Sequence, residues 1–109
     1  MAARAWGYAI DHGVEVGFGG VGYENFRATT GLVISPYYDH FPTEMTDAIA
    51  ASGAYIFFHT HQYMGGHAGF SGNGDQNICS INHWFCVVYA GPTGRGGDRG
   101  WYYMDFTNY

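Results

Sequence analysis

Five apolar residues in a row, Ala54–Phe58 (AYIFF), run straight into His59-Thr60-His61. The length of the run and its aromatic rings fit a strand buried on both faces, as in the centre of an α/β sheet. Side chains two positions apart on a strand share a face, so the two imidazoles project together from the strand end. A strand of this kind has to be covered by helices on both sides. The remaining segments must supply them.

Residues Ala5–Phe18 alternate loosely and read as one strand or two short ones, with a turn or bulge at Asp11–Gly13. Gly19–Glu24 is a glycine-rich turn, and the β-branched run Ala28–Ser35 is a second strand. After the connection Pro36–Pro42, Thr43 has the character of a helix N-cap, and Glu44 and Asp47 favour the helix dipole. That helix runs to about Ser52, and Gly53 fits a left-handed stop. Gln62–Gly69 is a glycine-rich loop, followed by a helix over about Asp75–Trp84 with Ile78, Ile81 and Phe85 to one side. Phe85–Ala90 is another buried strand, Gly91–Gly100 a hairpin-like turn, and Trp101–Phe106 a last strand. The order β-β-α-β-α-β-β implies an α/β fold, one mixed β-sheet flanked by helices. At 109 residues, the chain makes a single domain spanning 1–109.

Charge narrows the function. The net charge is -5, and the four basic residues are scattered arginines with no lysine, so nucleic acid is not an expected partner. No run approaches the roughly 18 apolar residues of a membrane span, so no membrane partner is expected either. The first ten residues lack the charged-then-apolar order of a signal peptide. The expectation is a cytoplasmic chain, or one delivered as part of a larger secreted assembly. For Cys79 and Cys86, a disulfide is one reading, and two small buried apolar residues is the favoured one.

The chemistry centres on His59 and His61. Zn2+ takes neutral imidazole nitrogen and carboxylate oxygen, and a catalytic site uses three protein ligands plus a water. Asp75 is the candidate third ligand, because it follows a glycine-rich loop at the start of the next helix, where the chain can fold back over the strand end. His67, within that loop, is a spare ligand candidate.

The stretch FFHTHQYMGGHAGFSGNGD resembles the JAMM motif of the JAB/MPN metalloproteases. The family pattern is His-Ser/Thr-His-Pro, seven residues, then Ser-x-x-Asp, with a glutamate on an upstream strand. The nearest likeness is to the compact JAB-like domains of bacterial polymorphic toxins and phage-associated proteins. The resemblance implies a JAB/MPN (cytidine-deaminase-like) sandwich. It implies that His59, His61 and Asp75 bind zinc, that Ser71 helps hold the oxyanion, and that Glu15 in VEVGFGG acts as general acid/base. The implied substrate is a peptide or protein, with ubiquitin-like conjugates among the candidates, cut at a peptide or isopeptide bond. Aromatic residues near the expected cleft, Tyr63, Phe70 and Trp84, suit an extended chain lying against rings.

Departures are local. Gln62 stands where the family has proline, eight residues (Tyr63–Phe70) precede Ser71, and three residues separate Ser71 from Asp75. The extra residues fall in a glycine-rich loop, where insertions cost little. A catalytically silent MPN-like scaffold is the alternative reading, and the altered spacing is what favours it. A cupin-type oxidase would also use His-x-His but needs a downstream glutamate, and none follows position 44.

Overall fold

The computed structural model describes residues 1–37, 40–61, 74–90 and 100–107; for residues 74–76, 90 and 100 it describes the backbone alone. The chain opens with a helix, α1 (Ala2–His12), where the sequence pattern suggests a strand. The reason lies in Ala5 and Ala9, one turn apart and fully buried, which let the helix lie close against Val16, Phe18 and Phe58. Alanine is the best helix former, and the apparent alternation here is the i, i+4 stripe of small residues. Gly13 ends the helix with φ 66°, and its N–H donates to the Ala9 carbonyl.

Strand β1 (Val16–Val21) follows. The expected strand over 28–35 is instead two short pieces, β2 (Arg27–Ala28) and β3 (Val33–Ile34), both antiparallel to β1. Thr30 interrupts them: its hydroxyl accepts the Gly19 N–H at 3.0 Å and donates to the Gly31 carbonyl at 2.8 Å. Helix α2 (Thr43–Ala51) begins one residue after Pro42, so Thr43 is its first helical residue rather than its cap. Gly53, at φ 87°, supplies the left-handed stop.

Strand β4 (Ile56–His61) carries the apolar run through both histidines. Helix α3 (Gly74–Ile81) is shorter than expected: His83 takes a left-handed φ of 55°, and Trp84 turns inward, its ring N–H donating to the Ala54 carbonyl at 3.1 Å. Strands β5 (Phe85–Ala90) and β6 (Gly100–Asp105) complete the sheet. Cys79 and Cys86 form a disulfide between α3 and β5, overturning the favoured reading of two separate apolar residues.

The sheet runs β2-β1-β4-β5-β6, with β3 also on β1. The pair β4–β5 is parallel and the others are antiparallel, so the sheet is mixed. One face packs on α1 through Val16, Phe18 and Phe58. The other packs on α2 and α3 through Phe57, Ile49, Cys79, Trp84 and Cys86. This is a small α/β protein with helices on both sides of the sheet. Among the described residues, no helix is long and apolar enough to cross a membrane.

Candidate metal centre

Parallel strands joined by a crossover helix present their carboxyl ends to ligands. The carboxyl end of β4 holds His59 and His61, and α3 begins beyond it. The antiparallel pairing of β1 with β4 puts Gly17 opposite His59. Two residues outward, the same count sets Glu15 across from His61. Residues directly opposite in an antiparallel pair share a face, so the carboxylate and both imidazoles converge.

The side chains meet at ligand distance. His59 Nε2 lies 3.2 Å from His61 Nε2, and His61 Nε2 lies 3.5 Å from Glu15 Oε2. One donor atom from each of the three residues falls within 4.8 Å of the others. Zinc–nitrogen and zinc–oxygen bonds of about 2.0–2.1 Å in a tetrahedron separate neighbouring donors by about 3.3 Å. The His59–His61 and His61–Glu15 separations straddle that value, so the donor set suits such an ion in chemistry and matches it at those two spacings.

The surroundings hold this geometry. Glu15 and His59 are 3% and 1% exposed, and the His61 side chain is the more open of the imidazoles at 12%. The His59 ring stacks on Phe57, with centroids 4.8 Å apart, and meets the edge of Phe41 at 6.0 Å. Gly17 leaves the space: a Cβ there would lie 3.1 Å from the His59 Cβ and 3.2 Å from the Phe41 ring. The Glu15 backbone is fixed on its outer side. Its N–H donates to the Tyr37 carbonyl, and its carbonyl accepts the Ser35 N–H, each at 2.9 Å. A carboxylate this deeply buried requires a charged or hydrogen-bonding partner, and the imidazole of His61 stands beside it.

Of the residues singled out from the sequence, the structure brings together Glu15, His59 and His61. Asp75 is the second residue of α3, with its backbone placed and its side chain outside the described atoms. Ser71, His67, Tyr63 and Phe70 lie outside the described residues. Trp84 is not a cleft residue: it is 1% exposed, in the core against Phe57. The chain's other two glutamates, Glu24 and Glu44, are both exposed. Gly17, Phe41, Ser35 and Thr60 shape the site and escaped the sequence reading. Only Gly17 left a signal, as a glycine inside an otherwise apolar strand.

A cleft of about 530 Å3, lined by Phe18, Phe26, Ile56, Phe58 and Val87, opens on the α1 side of the sheet. The candidate centre is not part of its lining.

No protein-family model matches the chain, and no curated protein or solved structure matches it.

Proposed function

We propose that the protein is a zinc-dependent hydrolase of JAMM type, on a compact JAB/MPN-like framework, that cleaves a peptide or isopeptide bond. The reading is carried by one observation: a buried glutamate just before β1 gathers with both histidines of His-x-His on β4, its carboxylate 3.5 Å from His61 and the two ring nitrogens 3.2 Å apart. It is supported by the resemblance of 57–75 to the family motif. His59, His61 and Asp75 would hold the ion. A zinc ion held there would lower the pKa of a coordinated water toward neutrality and polarise a carbonyl.

The chain's own groups divide the rest. Glu15, beside the imidazoles and shielded from solvent, accepts the proton of the attacking water and passes it to the leaving amine. Ser71 donates a hydrogen bond to the developing oxyanion. Burial of Glu15 among Val16, His59 and the 35–37 segment keeps bulk water from competing for that proton. The Ser71-to-Asp75 spacing, one residue longer than the motif, favours the second reading, a silent MPN-like binding module.

Two measurements test the hydrolase. The purified protein should hold about one zinc per chain, and a His59→Ala/His61→Ala variant should hold none; an untouched metal content in that variant refutes the ligand set. On a panel of peptides and ubiquitin-like isopeptides, Glu15→Gln should lose about 10²–10⁴-fold in rate, the usual contribution of a general acid/base. Metal binding with no cleavage of any panel member supports the binding module instead.

A further inference from the structure

The three donors come from two segments 44 residues apart in sequence, and one buried hydrogen bond ties those segments beside the site. The pairing of β1 with β4 runs outward to Gly17 and His59. At the next position the Val16 N–H donates to the side-chain hydroxyl of Thr60, at 3.1 Å. Thr60 is the residue between the two histidines, and Val16 is the neighbour of Glu15. Both are fully buried. By strand alternation, Thr60 faces away from the imidazoles, so it does not meet the ion itself.

We propose that Thr60 is the positioning residue for Glu15. Resting on the metal-centre reading above, the proposal assigns a role to a residue that touches neither metal nor substrate. The Glu15 backbone is held on its outer side by Tyr37 and Ser35, which belong to the segment after β3. Those bonds fix it to a neighbouring segment and say nothing about its distance from β4. The Thr60 hydroxyl adds a tie to β4 at Val16, the residue next to Glu15. An oxygen on a side chain reaches further from β4 than a backbone carbonyl does. It sets a gap between the segments into which the Glu15 and His61 side chains turn to meet at 3.5 Å. Serine retains the oxygen at this position. Valine keeps the shape and removes the acceptor, leaving a buried N–H with no replacement.

The test uses the whole chain loaded with Co2+, whose visible bands respond to the groups around a tetrahedral site. Wild type, Thr60→Val, Thr60→Ser and Glu15→Gln are compared, with the double variant Thr60→Val/Glu15→Gln. Thr46→Val serves as a control, since Thr46 is a buried threonine in α2 whose hydroxyl donates to the Thr43 carbonyl. The expected result is that Thr60→Val displaces the bands in the direction Glu15→Gln does. Its Co2+ affinity should fall about tenfold, the size typical of a lost group behind the ligands. Thr60→Ser restores the wild-type spectrum, the double variant goes no further than Glu15→Gln, and Thr46→Val melts earlier with an unchanged spectrum.

A wild-type spectrum from folded Thr60→Val overturns the proposal and leaves the metal centre standing. Additive effects in the double variant overturn it too, because Thr60 would then act independently of Glu15. Bands unmoved by Glu15→Gln remove Glu15 from the centre and the proposal with it. No Co2+ or Zn2+ binding by wild type refutes the metal-centre reading, and the proposal falls alongside. Should Thr60→Val not fold, Thr60→Ala, which leaves room for a water on the Val16 amide, is read by the same outcomes.

Discussion

Gly17 faces His59 across the β1–β4 pair, and a methyl group there has nowhere to go. Its Cβ would lie 2.4 Å from the Phe58 carbonyl oxygen and 3.1 Å from the His59 Cβ. The first of these is backbone, which cannot swing aside as a flexible side chain can. Gly17→Ala should therefore separate the strands or push the imidazole off its stack on Phe57. We expect a loss of about 1–3 kcal/mol in stability, the range for overpacking, together with weaker Zn2+ binding. Chemical denaturation and a competition titration with a chromophoric chelator measure the two effects. A variant equal to wild type in both would show that the site does not depend on this close approach. The two histidines were legible in the sequence because strand period is strict: i and i+2 share a face wherever the strand lies. Glu15 was legible only through the family likeness. Nothing local in VEVGFGG marks a residue that meets His61 across a strand pair, since register is a non-local property. Thr60 was invisible for the same reason, because its partner is an amide 44 residues away.

Among the elements, α3 carries the greatest consequence. Asp75 is its second residue, and the Cys79–Cys86 disulfide holds the helix to β5. Closing a loop of this length removes about 2.5 kcal/mol of unfolded-chain entropy at 25 °C in the chain-entropy account. Cys79→Ala/Cys86→Ala should lose stability of that order and, if Asp75 is the proposed third ligand, bind Zn2+ more weakly, because the helix that carries it is less firmly placed. Equal Zn2+ affinity in the folded double variant would show that α3 is held well enough by Ile78 and Trp84 packing. The bridge was the less favoured of the two sequence readings because two cysteines seven apart across a helix end are close enough for a bond only once the helix stops at Ile81 and Trp84 turns inward. The misread α1 has a similar cause: small residues at helical spacing among aromatics imitate alternation until a sheet is present for them to pack on. At the far edge, Asp105 closes β6 by accepting the Thr107 hydroxyl at 2.6 Å and the Thr107 N–H at 2.9 Å. Those two bonds, the hydroxyl's first, hold its carboxyl below the ordinary value. A carboxyl with a lowered folded value stabilises above its unfolded value, and the gain disappears as pH falls through the folded one. Asp105→Asn should thus melt slightly below wild type at neutral pH, and the difference should close in acid. A gap that persists at low pH would assign the effect to something other than this charge.

At the scale of the whole molecule, the candidate centre is where separate parts of the chain would be tied. His59 and His61 end the central strand, Glu15 directly precedes β1, and Asp75 is the second residue of α3. The core clusters lie on opposite faces of the sheet and share only its strands. An ion at the strand end adds a tie that the two clusters do not provide, and it binds a set of donors that the unfolded chain does not assemble. Binding to the folded state alone stabilises by about 2.7 kcal/mol when free ion is a hundredfold above its dissociation constant. For a domain near 100 residues that corresponds to a rise of about 10 °C or more in melting temperature. The expected outcome is that chelator-stripped protein melts lower than protein returned to Zn2+, by a margin that grows with the logarithm of free Zn2+. His59→Ala, which leaves a cavity beside Phe57 and Phe41, should melt lower still and show no response to the ion. Calorimetry across a zinc titration separates the two effects, since the cavity lowers both curves equally while the tie alone is concentration-dependent. If wild type melts at one temperature from stripped to saturated, no ion bridges these segments, and the β1–β4 convergence is a hydrogen-bonded cluster within the core.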